Sequence, residues 1–198
     1  MRAELDELVV ADPPEVWERL GFTVVDGVVP IGGVRIRPGA EGEGIVGWSL
    51  RNLAENEDLD GLPTTMSDAE PPAVAEHPLG ATAVDHVVAL TPDLDRTVAR
   101  LRAAGLDHRR TRDAGDGLRQ AFFVVGPCLL ELGGPAAGDV RFWGLTLVVD
   151  DLDAAAGGLG DKLGTVKDAV QPGRRIATVR REAGSSVPLA LMTSRQQG

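Results

Sequence analysis

The sequence predicts an α+β fold of tandem βαβββ modules with mixed or antiparallel sheets. Three observations predict this fold. An apolar, β-branched run at 84–90 leads directly into a helix-start signal, Thr91-Pro92-Asp93. Short extended segments separated by glycine-rich turns follow that helix. The same order of elements then begins again at 145, with Asp151 in the place of Asp93.

The middle module is expected at 82–135. Its helix carries Leu94, Val98 and Leu101 at helical spacing and is expected to end at Gly105, a residue suited to a left-handed conformation. The apolar stripe of this helix should pack on a sheet. The three extended segments that complete the module are predicted at 106–112, 119–125 and 128–132.

The next module is expected at 139–194. It repeats the strand, the aspartate-rich helix start at 150–153 and a glycine stop at Gly164. Two glycines inside the predicted helix, Gly157 and Gly158, each cost about 1 kcal/mol against alanine, which weakens the helix. Its remaining strands are predicted at 165–170, 174–181 and 187–192.

A shorter module with the same order of elements is expected at 1–51. A strand at 8–11 leads into the helix start Asp12-Pro13-Pro14-Glu15, and extended segments at 22–29, 33–37 and 45–50 follow. The stretch 52–81 is acidic and rich in proline, so we expect a surface linker. A connection this long is unusual in a compact domain, and it could instead wrap a neighbouring part or mark a lobe boundary. Because three modules leave one sheet without a partner in the chain, we also expect a homodimer.

The formal charge excludes several classes of partner. With 30 acidic and 20 basic residues the chain carries −10, which repels nucleic acids and anionic membranes. Its one cysteine, Cys128, lies in an apolar run and is expected in a buried strand, not a reactive pocket. The charged N-terminus and the lack of an apolar run of about 18 residues predict a cytoplasmic protein.

Three segments carry a family resemblance. They are Asp85-His86-Val87-Val88, Pro92-Asp93-Leu94-Asp95 and Leu129-Leu130-Glu131-Leu132 with Gly133. Together they resemble the vicinal-oxygen-chelate superfamily, which includes glyoxalase I, bleomycin resistance proteins and extradiol dioxygenases. The resemblance implies a glyoxalase-like fold, in which two βαβββ modules form one cup. It also implies metal ligands from the first and last strand of each module, a histidine and a glutamate.

The resemblance assigns His86 and Glu131 as metal ligands in the middle module. In the third module the repeat places Gly144 opposite His86 and Leu189 opposite Glu131, so half of the implied ligands are missing. Two protein ligands are too few for a catalytic zinc or iron site. A third ligand could be Glu7, which occupies the histidine-like position of the first module. The alternatives are His77, His108 or a residue of a second subunit.

Two hypotheses follow from these residues. The first is a protein that binds a small organic ligand in the cup without a required metal. The second is a metal-dependent lyase, isomerase or dioxygenase that uses His86, Glu131 and a third ligand, with a divalent ion such as Zn, Ni, Mn or Fe as cofactor. The pattern assigns no catalytic residue, and it leaves open which molecule is bound. The residues expected to contact that molecule are Trp143, Trp48, Arg119 and Thr146.

Overall fold

The computed structural model describes residues 2–53 and 58–194. Thirteen strands and three α-helices make up this part of the chain, together with two short 3₁₀ segments. The elements are β1 (Glu4–Val10), α1 (Pro14–Arg19), β2 (Val29–Ile31), β3 (Val34–Arg37), β4 (Ile45–Arg51), β5 (Thr64–Ser67), β6 (Ala81–Leu90), α2 (Leu94–Ala103), β7 (Asp107–Gly115), β8 (Leu118–Val125), β9 (Cys128–Gly134), β10 (Arg141–Val149), α3 (Leu152–Leu159), β11 (Lys167–Asp168), β12 (Arg175–Thr178) and β13 (Leu189–Thr193).

Two βαβββ modules share one eight-stranded sheet, which confirms the predicted fold class. The strand order is β11-β12-β13-β10-β6-β9-β8-β7. In each module the first strand pairs in parallel with the last, β6 with β9 and β10 with β13. The modules meet where β6 and β10 pair antiparallel, so the two first strands lie at the centre of the sheet.

Aspartate caps fix the starts of the two longer helices. The side chain of Asp93 accepts a hydrogen bond from the backbone of Arg96, and Asp151 accepts from Asp153 and Ala154. Helix α2 ends just before Gly105, whose φ of +87° is the left-handed conformation that glycine favours. Helix α3 stops at Leu159, earlier than the predicted Gly164, because the Gly157-Gly158 pair weakens its last turn.

The two faces of the eight-stranded sheet have different surroundings. Val87, Ala89 and Leu130 are fully buried in the main hydrophobic core together with residues of α2 and α3, and we call this side the core face. Alternate residues point the other way. Val88 and Phe122 are buried but do not belong to that core. We call the second side, which carries His86, Val88, Glu131 and Thr146, the cup face.

Strands β1 to β5 form a separate five-stranded sheet of order β2-β3-β1-β4-β5. Strand β1 pairs in parallel with β3 on one side and antiparallel with β4 on the other. Strand β4 therefore does not extend the hairpin of β2 and β3. It is the first strand of the second half of this sheet. The stretch expected as a linker contains β5, which pairs in parallel with β4. Residues 54–57 of that stretch lie outside the described residues.

The five-stranded sheet repeats the middle of the eight-stranded one. The order and directions of β2-β3-β1-β4-β5 match those of β8-β9-β6-β10-β13, pair by pair. Strands β1 to β5 therefore form a reduced version of the two-module sheet.

The two sheets pack on each other through their core faces. The ring of Trp48 on β4 lies 5.1 Å from that of Phe142 on β10, in an edge-to-face arrangement. At Gly32 a Cβ would come within 2.8 Å of the Thr82 carbonyl oxygen, so the backbones approach closely. The sheet expected to need a second subunit thus has its partner within the same chain. No helix in the described residues has the length and apolar character needed to cross a membrane.

Candidate functional site

A β-bulge brings two neighbouring side chains onto the cup face. His86 lies opposite Thr146 and Val84 lies opposite Leu147, so Asp85 is an extra residue on β6. Successive side chains of a regular strand point to opposite faces, but a bulge removes this alternation. Asp85 and His86 can therefore contact each other, and their side chains are 5% and 13% exposed.

Asp85 holds the histidine in one orientation. Its carboxylate lies 2.8 Å from Nδ1 of His86 and 2.6 Å from Nη1 of the buried Arg174. Burial alone would raise the pKa of Asp85, but the hydrogen bond with His86 and the ion pair with Arg174 together outweigh burial and lower it. An ionised Asp85 accepts the Nδ1 proton of His86, so the Nε2 atom faces the cup.

Further polar groups surround Nε2 of His86. The hydroxyl of Thr146 lies 3.1 Å from Nε2, and a carboxylate oxygen of Glu131 lies 3.9 Å from it. Glu131 accepts a hydrogen bond from the Gln120 amide, whose oxygen accepts two from Arg112 at 2.9 and 2.6 Å. A continuous row of polar side chains thus crosses the cup face from Arg174 to Arg112.

This arrangement can move a proton without any further group. An imidazole whose Nδ1–H is held by a buried carboxylate can accept a proton at Nε2. Glu131 offers a second proton acceptor on the neighbouring strand β9. The thiol of Cys128 does not take part in such chemistry, because burial, with a smaller contribution from Asp85, raises its pKa to about 12.

The third module offers no matching ligands for a metal ion. Gly144 on β10 pairs with Val88 on β6, just as His86 on β6 pairs with Thr146 on β10. Gly144 is therefore the residue of the third module that corresponds to His86. Glu131 on β9 pairs with Val88, whose counterpart in the third module is Thr146. Thr146 pairs with Ala190 on β13, so Ala190 corresponds to Glu131 and lies one residue beyond the expected Leu189. No group of three or more His, Cys, Asp or Glu side chains that could hold a metal occurs in residues 2–53 and 58–194. The donor set therefore does not fit the four-ligand metal site.

A cavity of about 400 Å³ opens beside Glu131 on the cup face, and we call it the ligand cavity. Trp143 lies at its edge and is 50% exposed. A second bulge explains this position, because Phe142 pairs with Ala89 and Gly144 with Val88, which leaves Trp143 as the extra residue. The walls of the ligand cavity are mainly apolar and include Val88, Leu90, Leu118, Gln120, Glu131 and Trp143.

Of the seven residues expected in the site, the structure gathers four on the cup face: His86, Glu131, Thr146 and Trp143. Arg119 lines the rim of the ligand cavity, where its guanidinium pairs with Asp95 at 2.9 Å. Trp48 is 1% exposed and lies in the core between the sheets, because its ring packs on Phe142 and its Nε1 donates to Thr64.

Glu7 lies in the other sheet. Its place in the five-stranded sheet corresponds to that of His86 in the eight-stranded one, and the place of Arg37 corresponds to that of Glu131. The side chains of Glu7 and Arg37 form an ion pair of 2.6 Å. The hydrogen bond with Glu7 raises the pKa of Arg37. The chain thus has a salt bridge where the resemblance implied ligands.

The remaining histidines lie away from the cup face. His77 is buried, accepts from the backbone of Thr23 and lies 2.9 Å from the Pro30 carbonyl oxygen, so both of its ring nitrogens are engaged. His108 lies on β7, where Nε2 is 3.1 Å from the Thr111 hydroxyl. Neither histidine approaches His86 or Glu131 as a third ligand.

Four residues of the polar row were not predicted as site residues: Asp85, Arg174, Gln120 and Arg112. Alternation along a strand predicts that Asp85 faces away from His86, and only the bulge reverses this. Arg174 belongs to a predicted strand more than eighty residues away in the sequence, and no local pattern links it to Asp85. The adjacent Asp-His pair was the one available signal.

Solved structures show which fold this is. A methylmalonyl-CoA epimerase from Mycobacterium tuberculosis has a TM-score of 0.50 at 21% identity, over 59% of this chain and 90% of that one. A selenomethionine-labelled methylmalonyl-CoA epimerase has a TM-score of 0.50 at 16% identity, over 59% and 97%. These epimerases are members of the vicinal-oxygen-chelate superfamily.

The chain has the vicinal-oxygen-chelate fold. The resemblance found in the sequence is thereby confirmed at the level of fold, and the matched share is close to that of residues 81–193, which form the eight-stranded sheet. No family model and no curated protein matches the sequence. The vicinal-oxygen-chelate fold supports many reactions, so the function has to be argued from the site itself.

Proposed function

We propose that this chain binds a small, mainly apolar organic molecule in the ligand cavity and needs no metal ion to do so. The observation that carries the proposal is that too few side chains are available as metal ligands. His86 and Glu131 have no counterpart in the third module, where Gly144 and Ala190 take their positions. The protein itself also engages both donors, His86 through Asp85 and Thr146 and Glu131 through Gln120.

The cavity has the features of a small-molecule site. Its walls are mainly apolar, and Glu131 and Gln120 supply polar groups that can orient a ligand. The half-exposed ring of Trp143 offers a face on which a planar group can stack. Glu131, which lines the cavity, is a group able to take up a proton, and it lies 3.9 Å from Nε2 of His86.

Metal analysis of protein purified without a histidine tag tests the central claim. We expect less than one equivalent of Zn, Ni, Mn and Fe together, and a melting temperature that a chelator does not change. Stoichiometric metal that is lost in His86→Ala would contradict the proposal. That result would favour a metal-dependent lyase, isomerase or dioxygenase that uses His86 and Glu131.

Ligand binding can be tested by calorimetry with a panel of planar apolar fragments and with methylmalonyl-CoA, for which the structural neighbours are named. A fragment that binds should lose most of its affinity in Trp143→Ala and Val88→Trp. The variant Asp153→Asn, on the far side of the sheet, is the matched control. Equal binding by all three variants would place the fragment elsewhere on the protein.

A further inference from the structure

A second cavity on the cup face has no part in the proposed function. It has a volume of about 400 Å³ and shares no lining residue with the ligand cavity. It lies near the start of β6, on the other side of His86, and we call it the Arg174 cavity. Its walls include Ala83, Asp85, Leu129, Val148, Arg174 and Ser194.

Arg174 reaches this cavity with donors that the described residues do not use. The residue is 3% exposed, its Nε donates to the Thr193 carbonyl at 2.8 Å, and its Nη1 lies 2.6 Å from Asp85. Both Nη1 and Nη2 are buried and make no hydrogen bond to residues 2–53 and 58–194, although Nη1 forms the ion pair with Asp85. A guanidinium has five N–H donors, and a buried donor without an acceptor is costly.

The charges around Arg174 define what can fill the cavity. Asp85 is the one carboxylate among the described residues within 4.0 Å of the guanidinium, and its closest contact is with Nη1. A planar guanidinium pairs well with a planar carboxylate. The side chains of Ala83, Leu129 and Val148 form apolar walls suited to a short alkyl group. A phosphate dianion would fit less well, because it would be repelled more strongly by Asp85.

We propose that the Arg174 cavity is a binding site for a short-chain carboxylate, with Nη2 of Arg174 and the hydroxyl of Ser194 as donors to the carboxylate oxygens. The site is independent of the ligand cavity. It would give the cup face two ligand positions, one on each side of the Asp85–His86 pair.

The test uses the full chain with propionate as the probe. Melting temperature and the Arg174 Nε–H signal in ¹H–¹⁵N spectra are followed at constant ionic strength, with sodium chloride, inorganic phosphate and propionamide as comparison solutes. Propionate should raise the melting temperature to a plateau and shift the Arg174 signal. Propionamide has nearly the same shape without the charge and should bind at least tenfold more weakly, as should phosphate.

Two variants separate this site from the ligand cavity. Ala83→Leu fills the Arg174 cavity but keeps the Arg174–Asp85 ion pair, and it should weaken propionate binding at least tenfold. Leu118→Ala alters only the ligand cavity and should bind propionate like the unmodified protein. The proposal is overturned if propionate has no saturable effect, if propionamide or phosphate binds as well, or if Ala83→Leu binds propionate unchanged. None of these results bears on fragment binding near Trp143.

Discussion

At the scale of single residues, the site depends on a buried carboxylate. Asp85 contacts both Arg174 and His86 and is itself almost fully buried. Removing one partner of a buried ion pair leaves the other charge uncompensated, which costs more than the pair contributes. Asp85 thus stabilises the fold and also sets the direction of the His86 ring.

We expect Asp85→Asn to lower the free energy of unfolding at pH 7 by about 3–5 kcal/mol, because Arg174 stays buried without its counter-ion. Chemical denaturation measures this loss. The exposed Asp153, which pairs with Arg175, provides the control, and Asp153→Asn should leave the melting temperature nearly unchanged.

The lowered pKa of Asp85 predicts how its contribution to stability changes with pH. The folded pKa of Asp85 lies below the ordinary value of 3.8, so its contribution is complete above that value and is lost as pH falls through the folded pKa. The stability difference between Asp85→Asn and the unmodified protein should be constant above pH 7 and shrink below about pH 4, where Asp85 itself becomes protonated. A difference that grows below about pH 4 would contradict the assignment.

At the scale of elements, the strands and helices of residues 82–194 follow from the sequence, but the bulges do not. Periodicity and capping residues locate β6, α2 and β10 because each depends on local preferences. A bulge depends on how two strands pair, so the contact of Asp85 with His86 could not be predicted, and Trp143 was expected at the site without the bulge that exposes it. Strand β5 was missed for a similar reason, since pairing with β4 stabilises a segment with little pattern of its own.

The pairing of β10 with the loop before β13 also explains why the third module lacks a histidine-like ligand. A Cβ at Gly144 would lie 2.8 Å from the Pro188 carbonyl oxygen, so no side chain fits without a shift of the backbone. We expect Gly144→Ala to destabilise the protein by about 1–3 kcal/mol.

Gly157→Ala is the matched comparison, because a Cβ there meets nothing within 4 Å inside α3. It should stabilise the protein by about 1 kcal/mol, the difference in helix propensity. Thermal unfolding of both variants measures the contrast. A Gly144→Ala protein as stable as the unmodified one would mean that this position tolerates a side chain.

At the scale of the whole molecule, the five-stranded and eight-stranded sheets share one strand arrangement and differ in the side chains that they carry. Both sheets contain a bulged aspartate that pairs with arginine, Asp6 with Arg35 and Asp85 with Arg174. Beside the first aspartate lies the Glu7–Arg37 ion pair, and beside the second lies His86 with Glu131. The smaller sheet supports the larger one through the shared core, and the larger one carries both cavities.

The contact between the sheets can be tested at Gly32. Gly32 and Gly27 both have positive φ, but only at Gly32 would a Cβ meet backbone, at 2.8 Å from the Thr82 oxygen. Alanine is strained at both positions, so the difference between Gly32→Ala and Gly27→Ala reports the contact. We expect faster hydrogen exchange in β2 and β6 for Gly32→Ala alone. Equal exchange in the two variants would show that the contact does not hold the sheets together.

The positions of the three tryptophans have a practical consequence for spectroscopy. Trp17 and Trp48 are almost fully buried in the half that supports the cup, whereas Trp143 is half-exposed at the edge of the ligand cavity. Quenching of indole emission by iodide will therefore act mainly on Trp143. The unquenched emission comes from the two buried rings and reports unfolding of the supporting half, so one fluorescence experiment can follow occupancy of the cavity and integrity of its support separately.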